Sequence, residues 1–111
     1  MSARTLTLVV AASAIVFVSA CAQAPPPPPP KTVTVTVQDI GFSPAEVTAL
    51  VGDTVEWVNK DVFDHTATAR NGPWDVAIDA GKTGRVVLGA VGMVEYYCKL
   101  HPNMVGKITV K

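Results

Sequence analysis

Three observations on residues 32–111 predict an all-β fold, a β-sandwich of seven or eight short strands. Apolar and polar residues alternate with a period of two in several segments, and turns rich in glycine, proline and asparagine separate these segments. Alternation of this kind places the apolar side chains of a strand on one face. No apolar pattern of helical period is long enough there to predict a helix. Short strands with frequent turns are typical of sandwiches.

The clearest predicted strands are the segments 32–37 and 54–59. Threonine and valine alternate strictly in the first, and Val55 and Trp57 are predicted to point inward in the second. The segment 40–44 interrupts the pattern, because it contains Gly41 and Pro44. Further strands are predicted over the segments 46–51, 65–69, 74–78, 85–88, 94–98 and 107–110.

The first 31 residues divide into two segments that precede this domain. Residues 1–20 resemble a secretion signal, since Arg4 precedes an apolar run that is shorter than the about 20 residues a membrane-spanning helix needs. Small residues precede Cys21, as in the lipobox of bacterial lipoproteins, and a polyproline tract follows. We therefore expect residues 21–31 to be a lipidated cysteine and a linker. Cleavage near Ala20 or Ala24 to release a soluble protein is the alternative.

Composition limits the classes of function that the chain can have. Its 111 residues suffice for one domain, with 49% apolar and 16% charged residues. The formal net charge is zero, so the chain offers neither an electrostatic footprint for nucleic acid nor a polybasic patch for a membrane. We expect no nucleic-acid partner.

Near its C-terminus the sequence carries three side chains that soft or borderline metal ions prefer. Cys98, His101 and Met104 supply a thiolate, an imidazole and a thioether at intervals of three residues. His65 is the one other histidine, and the fold would have to bring it to this loop. Two imidazoles, one thiolate and a weak axial thioether are the ligands of copper sites for electron transfer. The residue types therefore predict one copper ion.

Several structural and chemical alternatives compete with this interpretation. Taken singly, Cys98 could be a core residue, His101 a surface residue and Met104 core filler. Cys98 could also pair with Cys21 in a disulfide, since exported proteins often contain them. Zinc is another candidate metal, but its sites usually use several cysteines and no methionine. A thiol enzyme with Cys98 as nucleophile and His101 as base lacks an evident third residue to orient the base.

The order of an upstream histidine, then Cys-x-x-His-Pro-x-Met, then a final Gly-x-Ile-x-Val strand, resembles the cupredoxins, the small blue copper proteins. The two-residue gap between His101 and Met104 is most similar to that of amicyanins. The segments 42–44, 52–59 and 64–66 also fit the pattern of this family, to which plastocyanins and pseudoazurins belong. The resemblance covers residues 34–110 and implies a Greek-key β-sandwich.

The resemblance also implies a set of roles for residues of this chain. His65, Cys98 and His101 would be the strong ligands of a type 1 copper ion, and Met104 the axial one. The N–H of Thr66 would donate to the Cys98 sulfur. Such a protein is a monomer that transfers single electrons between extracytoplasmic redox partners, which bind an apolar patch near His101, and it is no enzyme. A periplasmic protein that stores or delivers copper is the alternative function.

One position departs from the family pattern. Amicyanins and plastocyanins usually carry proline directly before the second histidine, and this chain has Leu100 there. Because leucine keeps a backbone N–H that proline lacks, a second hydrogen bond to the Cys98 sulfur is possible.

Overall fold

The computed structural model describes residues 1–18 and 23–111 and has nine strands. Cys21, the predicted lipidation site, lies outside the described residues. None of the described residues forms an apolar helix of the length that a membrane crossing requires. In chain order the strands are β1 Thr32–Val37, β2 Phe42–Ser43, β3 Glu46–Ala49, β4 Thr54–Asn59, β5 His65–Ala69, β6 Asp75–Ile78, β7 Thr83–Val87, β8 Gly92–Tyr97 and β9 Val105–Val110.

The strands form two sheets that pack face to face. One sheet has the order β2-β1-β4-β7 and the other the order β3-β9-β8-β5-β6. β1 pairs with β4 and β3 with β9 in parallel, whereas the other neighbours are antiparallel. The chain changes sheets after β2, β3, β4, β6 and β7, as strands do in sandwiches with Greek-key connections.

Aromatic side chains fill the space between the sheets. The ring of Tyr96 packs edge-on against the rings of Phe42 and Trp57, at centroid distances of 4.7 and 5.4 Å. Trp57 also contacts the half-buried Trp74 at 5.4 Å. Burial raises the pKa of Tyr96 to about 12. Gly106 on β9 lies against this tyrosine so closely that a Cβ atom there would come within 2.3 Å of the ring. The tyrosine therefore requires glycine at that position.

The structure confirms the predicted β-sandwich and corrects one detail of it. The segment 40–44, which the sequence presents as an interruption, contains the two-residue strand β2, so that the described residues form nine strands instead of seven or eight. Phe42 pairs with Val37 at the end of β1, and its side chain is only 7% exposed. Burial of this ring against Tyr96 stabilises the short strand. The sequence did not predict it, because Gly41 and Pro44 on either side interrupt the alternating pattern.

Asp53 joins the start of β1 to the turn before β4. Its carboxylate accepts hydrogen bonds from the N–H of Lys31 and the N–H of Leu50, both at 2.9 Å, and the residue is 2% exposed. These two backbone donors, Lys31 first, hold the pKa of Asp53 below its ordinary value of 3.8. A carboxylate whose pKa is lowered by folding stabilises the folded state above its unfolded pKa. That contribution disappears as the pH falls through the lowered, folded value.

We therefore expect Asp53→Asn to lower the free energy of unfolding at neutral pH, because the amide cannot accept both N–H groups as an anion does. The difference from wild type should shrink as the pH falls below the unfolded value of 3.8. Urea unfolding at a series of pH values measures this, with Asp79→Asn on the exposed turn as the matched control. A difference that stays constant down to the lowest pH would contradict the assignment.

Candidate metal centre

The loop between β8 and β9 folds back on itself and so gathers three of the predicted ligands. The N–H of Cys98 donates to the carbonyl of Met104 at 3.0 Å, which continues the ladder of the two strands by one step. Within the loop, the N–H of His101 donates to the carbonyl of Cys98 at 3.3 Å, and the N–H of Met104 to that of His101 at 2.8 Å. These backbone bonds link all three residues. The loop is therefore a compact unit held by its flanking strands.

His65 reaches this loop because its strand, β5, lies beside β8. The two strands pair antiparallel, with Thr68 opposite Tyr97. His65 begins β5, and its Nδ1 atom lies 3.7 Å from the Cys98 sulfur. The next residue, Thr66, donates its N–H to the same sulfur at 3.3 Å. The pairing of β5 with β8 thus brings His65 next to Cys98, although the two residues are 33 positions apart in the chain.

The donor atoms form a triangle of the size that a metal ion needs. Nδ1 of His101, like Nδ1 of His65, lies 3.7 Å from the Cys98 sulfur, and the three donor atoms lie within 4.8 Å of one another. In a planar triangle around a metal, bonds to sulfur of about 2.3 Å and to nitrogen of about 2.0 to 2.1 Å place each nitrogen about 3.7 to 3.8 Å from the sulfur. Both nitrogen atoms thus occupy equivalent places relative to the sulfur.

Burial distinguishes the inner and outer sides of the site. Cys98 is 0% and His65 1% exposed, and Met104 at the end of the loop is 3% exposed. His101 is half-buried and lies towards the surface. A soft thiolate, two imidazoles and a neighbouring thioether match the preferences of copper. The arrangement of His65, Cys98, His101 and Met104 fits one type 1 copper ion.

Apolar side chains surround the exposed edge of His101. The ring of Phe63, which is 50% exposed, lies 6.1 Å from the imidazole of His101 between centroids. His101 also lines a shallow depression of the surface, together with Ile40, Leu100, Pro102 and the end of the loop. Leu100 is 60% and Ile40 46% exposed. We call Ile40, Phe63, Leu100 and Pro102 the apolar patch.

Fold and site together define a small β-sandwich protein with a mononuclear copper centre. The model of the cupredoxin-like domain family matches residues 8–110, and the chain belongs to this family. Amicyanin from Paracoccus versutus is 29% identical over 83 residues, which are 68% of this chain and 61% of that protein. The chain therefore spans less than two thirds of the length of this relative.

Solved structures of amicyanin variants share the fold. A reduced variant is 24% identical, with a TM-score of 0.63 over 72% of this chain and 82% of the other. The reduced Cu(I) form of a second variant is 23% identical, with a TM-score of 0.64 over the same shares.

Two expectations about neighbours of the ligands have different outcomes. The hydrogen bond from Thr66 to the sulfur is present, as the resemblance implied. Among the described residues, the second bond that Leu100 could provide is not seen, and Thr66 supplies the backbone donor to Cys98 Sγ. Leu100 lies in the bend after Cys98 and is exposed, so its contribution is to the apolar patch.

Two further polar residues near the centre were not predicted as functional from the sequence. Asp61 accepts a hydrogen bond from Nε2 of His65 at 2.7 Å. Asn59 is 2% exposed and holds the loop before His65, since its side chain donates to the carbonyls of Phe63 and Ile78 at 2.8 and 2.9 Å. A carboxylate four residues before a candidate ligand is the only sequence signal for Asp61, and it is weak on a loop.

Proposed function

We propose that this protein carries single electrons between redox partners outside the cytoplasm. The observation that carries the proposal is the buried triangle of donors, with the Cys98 sulfur 3.7 Å from Nδ1 of both His65 and His101. A copper ion held there supplies a one-electron Cu(I)/Cu(II) couple. Met104 would contribute a weaker thioether ligand, and the chain would transform no substrate of its own.

The sandwich would keep the donors in place in both oxidation states. His65 belongs to β5, Cys98 follows β8, and Met104 precedes β9, so that three neighbouring strands of one sheet fix three of the four donors. The hydrogen bond from Thr66 further restrains the sulfur. Little rearrangement of these side chains is then needed when the charge of the site changes, which favours fast electron transfer.

The apolar patch supports a place for the partners to bind. His101 is the outermost of the proposed ligands, and it is edged by Phe63, Leu100 and Pro102. Apolar groups there exclude water from the imidazole and allow a partner to approach it without desolvating charges. We propose that redox proteins bind here and that the carrier works as a monomer.

Copper loading tests the function directly. Cu(II) bound to the purified domain should give an intense thiolate-to-copper band in the visible spectrum and a reversible one-electron wave in voltammetry. Cys98→Ser should remove the band, because the hydroxyl does not replace the thiolate, whereas Asn103→Ala in the same loop should keep it. Metal that leaves on reduction would favour storage or delivery of copper over electron transfer.

We also propose that residues 1–20 are an export signal and that the mature protein is anchored through a lipid on Cys21, with residues 21–31 as the spacer. Support comes from the small residues before Cys21 and the polyproline tract after it. An anchored carrier would be confined to a membrane surface, where a spacer of this kind keeps the domain accessible.

Mass spectrometry of the protein from isolated membranes tests the anchor. We expect a mature N-terminus at Cys21 that carries acyl chains, and Cys21→Ser should release the protein into the soluble extracytoplasmic fraction. A free, unacylated N-terminus just after Ala20 or Ala24 would contradict the anchor without affecting the proposed copper chemistry.

A further inference from the structure

A backbone turn in a rarely populated conformation lies beside the metal centre. Asp39 and Ile40 both have φ values of 54°, in the left-handed region. A β-branched residue such as isoleucine seldom adopts this conformation, because its side chain then crowds the backbone. The turn is closed by a hydrogen bond from the N–H of Gln38 to the carbonyl of Gly41 at 3.1 Å. Backbone strain of this kind persists where the surrounding structure holds it, often at functional sites.

The turn presents two successive N–H groups to one carboxylate. The N–H of Asp39 donates to Oδ1 of Asp61 at 2.7 Å, and the N–H of Ile40 donates to Oδ2 at 3.0 Å. Successive backbone N–H groups arranged in this way form a concavity that binds an anion. Here the anion is a side chain of the protein itself, from a loop more than 20 residues away along the chain.

The same carboxylate holds the inner histidine of the metal centre. Oδ2 of Asp61 accepts the hydrogen bond from Nε2 of His65, whose side chain is 0% exposed, while that of Asp61 is 10% exposed. The opposite nitrogen of that ring, Nδ1, is the one that faces the Cys98 sulfur. Asn59 fixes the other end of Asp61, since its Oδ1 accepts the N–H of Asp61 at 2.9 Å.

We propose that Asp61 is a positioning residue for the copper centre. Clamped by the N–H groups of Asp39 and Ile40, it keeps the proton of the neutral His65 ring on Nε2 and the ring in one orientation. Nδ1 is then left with its lone pair directed towards the metal. The proposal rests on the copper site proposed above. In it, the strained turn supplies the two N–H groups that hold Asp61 in place.

The number of donors explains why this position requires a carboxylate. Three N–H groups point at Asp61, and its two oxygen atoms accept all of them. An asparagine amide has one oxygen and one NH₂ group, so in either orientation it would direct a donor at a donor. Burial alone would raise the pKa of Asp61, but the bonds from Ile40, His65 and Asp39 together hold it below its ordinary value.

Two isosteric variants separate positioning from simple loss of charge. Asp61→Asn and Asp64→Asn each remove one negative charge within four residues of His65. Asp64 is exposed, and in the part of the chain that the structure describes its side chain accepts one hydrogen bond, from the N–H of Ala80. Competition for Cu(I) with a chromophoric chelator measures affinity. We expect Asp61→Asn to weaken Cu(I) binding by about 10- to 100-fold, and Asp64→Asn by less than about fivefold. Equal losses in the two variants would overturn the positioning role.

The metal-free protein gives a readout that does not depend on copper. Long-range ¹⁵N–¹H spectra at a fixed alkaline pH should show wild-type His65 protonated on Nε2 alone. Asp61→Asn should give a mixture of both tautomers. A wild-type ring protonated on Nδ1 would overturn the proposal even if Asp61→Asn failed to fold. If wild-type protein bound no copper, the proposed function would fail while this spectrum still tested the clamp.

Asp39→Gly tests whether the turn acts through its backbone. Glycine populates positive φ freely and keeps the N–H group that Asp61 accepts, so this variant should retain the Nε2 tautomer of His65 and an affinity for Cu(I) within about fivefold of wild type. Loss of affinity comparable to that of Asp61→Asn would show that the side chain of Asp39, and not the N–H pair, is what the centre needs.

Discussion

The pairing of β5 with β8 is the constraint on which the metal centre depends. It places His65 beside Cys98, lets Thr66 donate to the sulfur, and leaves the loop after β8 to supply the remaining donors. β8 in turn is held by β9 on its other edge and by Tyr96 in the aromatic core. The centre therefore lies at the end of paired strands, and the pairing of those strands sets the positions of its donors.

Much of this arrangement could be predicted from the sequence, because its signals are local. Period-two alternation predicted most strands, and the chemistry of Cys98, His101 and Met104 at intervals of three predicted the site and selected His65 as the remaining imidazole. The short strand at Phe42 was not predicted, since its stability comes from burial against Tyr96 and not from an alternation of apolar and polar residues. Local alternation cannot report a contact of that kind.

At the metal centre, Asp61 and Leu100 also show what local sequence patterns cannot predict. The role proposed for Asp61 depends on where a turn more than 20 residues earlier directs its N–H groups, which no spacing in the sequence encodes. For Leu100 the sequence shows that an N–H is available, but not where it points. In the structure its exposed side chain joins the apolar patch beside His101. Residue types thus predicted the donors, and only the fold showed what orients and surrounds them.

The central claim is that His65, Cys98, His101 and Met104 together hold one copper ion. A crystal structure of the copper-loaded protein tests it most directly. We expect copper bonded to the Cys98 sulfur and to Nδ1 of both His65 and His101, with the hydrogen bond from Thr66 to the sulfur kept. Copper bound elsewhere on the protein, or bound at Cys98 without His65, would contradict it.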